Sequence, residues 1–159
     1  TELSFSLRLS PLKYVICDLS GILADFVENL LSAFYPRIVS RRANIVITEL
    51  VNNVLENILF PESPLSVEID VVSRTLSIRI CNQVTPDIFE GVSEHVELIN
   101  NTEDLKALLK ETIRKRRKQR LKGGLGLMRL VVENKFQIAV EYENELMTVE
   151  TRLPLGGLL

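Results

Sequence analysis

Lys122-Gly123-Gly124-Leu125-Gly126-Leu127 runs without a break into Met128-Arg129-Leu130-Val131-Val132, a segment of helical pattern. A glycine-rich turn that enters a helix offers bare backbone N–H groups and a positive dipole end, which suits the approach of phosphate. Glycines placed this way also cap helices or ease packing, so the turn alone is a weak signal. Its flanks decide the reading. Upstream lies Ile45-Val46-Ile47-Thr48-Glu49-Leu50-Val51-Asn52-Asn53-Val54-Leu55-Glu56-Asn57, and downstream Thr148-Val149-Glu150-Thr151-Arg152-Leu153-Pro154.

In the upstream segment Glu49, Asn52, Asn53, Glu56 and Asn57 recur at helical spacing and share one face. Ile47, Leu50, Val51, Val54, Leu55 and Ile58 take the other. An acid and an amide at i, i+4, here Glu49 and Asn53, can together hold a magnesium ion and polarise a nucleophile. The competing reading is the wet side of an ordinary amphipathic helix. Two successive asparagines are poor helix formers, and a merely solvated face more often uses Lys, Glu or Gln.

The 159 residues suffice for one domain, 1–159, with a sizeable core. An apolar fraction of 46%, a charged fraction of 25% and a net charge of −2 give no field pointing to nucleic acid or membrane. No apolar run approaches the roughly 20 residues that cross a bilayer. Thr1 opens the sequence without a Met, what precedes it is left open, and a cytoplasmic protein is the expectation. Cys17 and Cys81 stand alone in apolar surroundings and read as small buried thiols rather than a disulfide. The absence of a CxxC or Cys/His cluster in the sequence argues against a structural zinc site.

Alternation predicts a strand over residues 1–9, and a short apolar run predicts another over 14–17. Helices are expected over 20–35, with Ile22, Leu23, Phe26, Leu30, Leu31 and Phe34 as the inward stripe, and over 40–60. A hairpin over 65–72 and 76–82 turns at Ser73-Arg74-Thr75. Two helices follow, 87–99 and 103–117, with Thr102 as N-cap of the second. A helix over 127–134 and a closing hairpin, 136–142 with 147–153, end the chain. Interspersed helices and antiparallel strands without a βαβ repeat predict an α+β two-layer sandwich: one mixed, mostly antiparallel sheet with helices packed on one face.

In order and separation these segments resemble the GHKL (histidine-kinase-like ATPase) superfamily. Within it they resemble the anti-sigma-factor-type serine/threonine kinases, and most of all the SiaB-like kinase family. The resemblance spans most of residues 14–154 and is carried by Glu49-Leu50 with Asn53, by Asp104-Leu105-Lys106, by Gly123-Gly124 with Gly126-Leu127, and by Thr148 with Leu153-Pro154. It implies a Bergerat-type fold, ATP and Mg2+, and transfer of phosphate to a Ser or Thr of a small cytosolic partner, a STAS-like protein or anti-sigma-factor antagonist. A homodimer is a further expectation of the family; membranes and nucleic acid are not implied.

The same resemblance assigns roles. Glu49 would polarise the hydroxyl and Asn53 would coordinate magnesium. Asn57, where such kinases usually keep a His, joins the nucleotide-binding positions with Lys122, Gly123, Gly124, Leu125, Gly126 and Leu127. Asn82 and Thr148 would hold the adenine end. Residues 114–122, with seven basic side chains, fall where the family has its lid, and the run also reads as a docking surface or a solvated helix end.

There are two departures. The strand ends Cys81-Asn82-Gln83-Val84 where the family has an Asp and then a Gly, and Lys122 replaces a further Gly. Asn82 can donate to and accept from adenine at once, and is equally a turn residue at a strand end. These departures favour the alternative of a catalytically degenerate module that binds and sequesters a protein partner. His95, the sole histidine, lacks a phospho-acceptor box and reads as an ordinary, partly exposed side chain.

Overall fold

In a computed structural model, residues 2–56, 58–119 and 125–159 are described. Strand β1 (Leu3–Leu9) leads through a three-residue helical turn, Leu12–Tyr14, to helices α1 (Leu19–Ser32) and α2 (Arg37–Glu56). The hairpin β2 (Leu65–Val72) and β3 (Thr75–Gln83) follows, then α3 (Pro86–Asn101), α4 (Leu105–Gln119) and α5 (Gly126–Val132). The strands β4 (Gln137–Glu143) and β5 (Leu146–Pro154) close the chain. The sheet order is β1-β2-β3-β5-β4 and every pairing is antiparallel, so the expected α+β sandwich forms without the mixed component.

Alternation along the strands sets the two faces of the sheet. Leu65, Val67, Ile69 and Val71 of β2 and Leu76, Ile78 and Ile80 of β3 are buried, as are Met147, Val149, Thr151 and Leu153 of β5. Between them on the other face stand Ser66, Glu68, Asp70, Ser77, Arg79, Glu150 and Arg152. Helices therefore cover one face and water the other. Ile47, Leu50, Val51 and Val54 turn α2 onto that covered face, in one continuous core with Leu23, Val27 and Leu31 of α1.

Four local expectations are corrected. Residues 14–17 form no strand: all four are exposed, Ile16 to 95%, and just before them Leu12 is buried and Lys13 N–H donates to the Pro61 carbonyl, so a short apolar run without alternation is no pairing signal. Cys17 is accordingly exposed, and Cys81, half-buried, is likewise a free thiol. In α1 the buried residues are Ser20, Leu23, Ala24, Val27 and Leu31, while Ile22 and Phe26, and Phe34 beyond the helix end, are exposed. Thr102 ends α3, its hydroxyl donating to the Leu98 carbonyl, and Asp104 caps α4 by accepting from Ala107 N–H at 3.0 Å.

Candidate functional site

The polar face of α2 meets the sheet at one end of the covered face. There Glu49, Leu50, Asn53 and Val54 form one wall of a pocket of about 220 Å3. Ile80 and Asn82 of β3 and Met147 and Val149 of β5 make its floor, because pleating sends these four to the helical side. Ile88, Val92 and His95 of α3 form the second wall, and Val84, Gly126 and Leu127 complete the lining. Pockets for drug-sized ligands run to roughly 300–1,000 Å3, so this space suits one ring system rather than a whole large ligand. Apolar walls with a few polar groups fit a flat heterocycle.

The α3 wall is held from the sheet side. Phe89 stacks on Tyr142 of β4 with ring centroids 4.7 Å apart, and the Tyr142 hydroxyl donates to the Val84 carbonyl at 2.8 Å. Val84 N–H donates to the Glu145 carbonyl at 3.0 Å, and Asn100 Nδ2 to that of Ile138 at 3.1 Å. Two lining segments are thus tied to the β4–β5 hairpin, α3 through side chains and Val84 also through its backbone.

Glu49 and Asn53 stand one turn apart on the same wall, Glu49 half-buried and Asn53 exposed. A methyl group at Gly126 would overlap the Glu49 carboxylate, so the glycine is where it is partly to leave room for that side chain. Asn82 is only 9% exposed, and its Nδ2 donates, at a long 3.4 Å, to the Gln83 carbonyl. That leaves Oδ1 as the group with acceptor capacity for a ligand.

Gly126 and Leu127 reach the pocket; Leu125 precedes α5 without lining it. Thr148 does not join them. Its neighbours Met147 and Val149 take the pocket face, so Thr148 belongs to the opposite face, in register with Cys81 on one side and Glu141 on the other. Strand periodicity leaves no choice: a position one residue off points the other way. Asn57, Lys122, Gly123 and Gly124 lie outside the described residues, as do residues 120–121 of the basic run.

His95 lines the pocket as a half-buried side chain whose Nε2 is shut off from solvent and has no hydrogen-bond partner among the described residues. Burial, and secondarily the positive charge of Arg116, hold its pKa below the ordinary histidine range, so the ring is neutral at pH 7. A signal for it was present in the sequence: Ile88, Val92 and His95 fall at i, i+4 and i+7, a histidine on an apolar stripe.

Among the described residues no group of three or more His, Cys, Asp and Glu could hold a metal by itself. Magnesium does not require one, since it keeps several waters and typically takes only one or two protein oxygens beside phosphate. No helix among the described residues is long and apolar enough to cross a membrane.

No family model matches the chain, and no curated protein matches it. Among solved structures, a chain in the crystal structure of the SiaB–SiaC complex from Pseudomonas aeruginosa is similar over 94% of this chain and 88% of that one, with a TM-score of 0.67 and 19% sequence identity. At that identity the likeness shows a shared fold.

Proposed function

We propose that this protein is an ATP- and magnesium-dependent serine/threonine protein kinase of the GHKL type, acting in a bacterial partner-switching system. The observation that carries the reading is the convergence of Glu49, Asn53, Asn82 and Gly126, drawn from three separate segments, on one apolar-walled pocket. The substrate would be a small cytosolic protein, STAS-like or an anti-sigma-factor antagonist. Support for a protein partner comes from the fold neighbour, which was crystallised as a two-protein complex.

The apolar walls would take the adenine ring, with Asn82 Oδ1 accepting from its amino group. Asn53 would give its side-chain oxygen to magnesium, which supplies neutralisation of phosphate charge when bound. In the transfer, the acceptor hydroxyl oxygen bonds to the γ-phosphorus as the bond from that phosphorus to the β–γ bridging oxygen breaks. ADP leaves with the electron pair, and Glu49 takes the hydroxyl proton. Catalysis is then mostly positioning and charge neutralisation.

Calorimetric titration with ATP tests this. Saturable binding near micromolar Kd (about −8 kcal/mol at 1 μM) that requires magnesium and is lost in Asn53→Ala is expected. Folded wild-type protein that takes up no ATP would defeat the kinase reading. The alternative, a non-enzymatic module that sequesters a protein partner, is favoured by Asn82 in place of a carboxylate; it predicts no ADP formation with any acceptor.

A further inference from the structure

The two edges of the sheet differ in how they are guarded. At one, α3 packs along β4, and the outward face of that strand carries Glu141 and Glu143. A covering helix and charged side chains are common protections for an open edge. At the other, β1 reads Leu3-Ser4-Phe5-Ser6-Leu7-Arg8-Leu9, with one charge, no Lys and no Pro. Among the described residues nothing pairs with its outer side. Leu3, Phe5, Leu7 and Leu9 lie opposite Val71, Ile69, Val67 and Leu65, on the helical face. Those β2 partners are buried, whereas the four β1 residues are left only half-buried.

Helix α1 is bare on the same side. Asn44 of α2 donates to Asp25 and Glu28, which marks the α1 flank that faces α2. Ile22, Phe26 and Leu30 follow at i, i+4 and i+8 on the other flank. Ile22 and Phe26 are 57% and 51% exposed. Since α2 turns its opposite side to the pocket over β3 and β5, α1 lies on its β1 side. Burial, and then the Glu2 carboxylate, raise the pKa of Tyr35 just past α1, which sets that helix end beside the start of β1. The open strand edge and the apolar flank above it form one surface.

We infer that a second copy of the chain covers this surface, β1 pairing antiparallel with its own copy about a two-fold axis at Ser6. The strand is self-complementary in that register. Leu3 falls opposite Leu9 of the other copy, Phe5 opposite Leu7 and Ser6 opposite Ser6; Ser4 meets Arg8, so no charge faces a like charge. A slip of one residue would set the apolar face of one strand against the polar face of the other. A two-fold axis perpendicular to the sheet keeps both helical layers on one side and brings the two α1 flanks together over the joined strands. Two five-stranded sheets become one, and Ile22, Phe26 and Leu30 of both copies close the layer above. A lone extended segment of another protein would satisfy the edge and leave the α1 flank bare, which is why a second copy fits better.

Sedimentation equilibrium on the full chain tests the assembly, and cysteine placement tests the register. The wild type at about 100 μM should sediment at twice the 18.0 kDa of one chain. Phe26→Glu should raise the dimer Kd about 30-fold or more, the effect of losing a central apolar anchor. In a Cys17→Ser background, Ser6→Cys should form an intermolecular disulfide on mild oxidation, because its Cβ atoms face each other at about 5 Å. Ser4→Cys should not, being offset from its own copy by roughly 13 Å along the strand. A monomer at that concentration overturns the inference and leaves the edge to a segment of another protein. A dimer unmoved by Phe26→Glu, or one in which Ser6→Cys cross-links no faster than Ser4→Cys, overturns it too by placing the contact elsewhere. Circular dichroism checks that each variant folds; Ser6→Cys is nearly isosteric at an exposed position, so the cross-linking arm decides should Phe26→Glu unfold. Neither readout involves ATP, so the result stands apart from the kinase reading.

Discussion

At the level of single residues, the site turns on who occupies the space beside Gly126. The Glu49 carboxylate fills the position that any side chain at 126 would take, and it is the far end of a flexible chain. Gly126→Ala should therefore push that carboxylate aside rather than break the backbone. If Glu49 is the base of the proposed transfer, the expected result is a loss of phosphoryl transfer on the order of 10²-fold or more, with ATP affinity changed only a few-fold and thermal unfolding close to wild type. Parallel turnover, calorimetry and melting measurements would check it, and a large loss of affinity with intact turnover would contradict it. Glu49, Asn53, Asn82, Gly126 and Leu127 were legible in the sequence because an i, i+4 pair, a strand end and a glycine turn each have a local signature. His95 has only the weaker signature of a polar residue on an apolar stripe, which core histidines share. Thr148 fitted a short pattern whose spacing gives position along a strand and not the face.

Among the elements, the strands read well where alternation was sustained, and both hairpins fall where the pattern breaks. The apolar run at 14–17 forms no strand because four residues without alternation carry no pairing information, and in α1 burial follows Ser20, Leu23, Ala24, Val27 and Leu31 rather than the bulkier Ile22 and Phe26. The backbone of the β4–β5 turn supports the Val84 side of the pocket. Asn144 and Glu145 both have positive φ, 52° and 64°, the geometry of a two-residue type I′ turn. Glutamate in that conformation costs roughly 1–2 kcal/mol, and glycine returns part of this as entropy in the unfolded chain. Glu145→Gly should accordingly stabilise the protein by about 0.5–1 kcal/mol, a rise in Tm of a few degrees. Its main-chain carbonyl still accepts from Val84, so ATP affinity should hold. Differential scanning calorimetry would detect the change, and a fall in Tm would show that the side-chain contact of Glu145 with Gln83, at 3.4 Å, matters more than backbone strain.

For the molecule as a whole, the antiparallel sheet separates two kinds of chemistry. The helical face holds the pocket; the wet face holds an ionic cluster in which Arg79 bridges Glu68, Asp70 and Glu150 across three strands. Cross-strand register brings them together, with Glu68 and Glu150 directly opposite Arg79 and Ser4 opposite Asp70. Asp70 is held below its ordinary pKa, first by the Ser4 hydroxyl donating at 2.6 Å and then by Arg79, against an opposing cost of burial. A carboxylate whose pKa is depressed on folding stabilises the protein at pH values above its unfolded pKa of 3.8 and loses that contribution as pH falls through the lower folded value. Ser4→Ala removes the leading cause. At pH 7 it should cost about 0.5–1 kcal/mol, allowing for solvent at this partly exposed site. The difference from wild type should shrink as pH falls through the depressed folded value, below which Asp70 is protonated in both proteins. Urea unfolding at pH 7 and along a descending acid series would read both arms. A gap that stays constant with pH would mean that the hydroxyl stabilises by some route other than the carboxylate's charge. Since the cluster and the pocket lie on opposite faces of one sheet, Ser4→Ala should also leave ATP affinity unchanged, which separates a defect in the scaffold from a defect in the site.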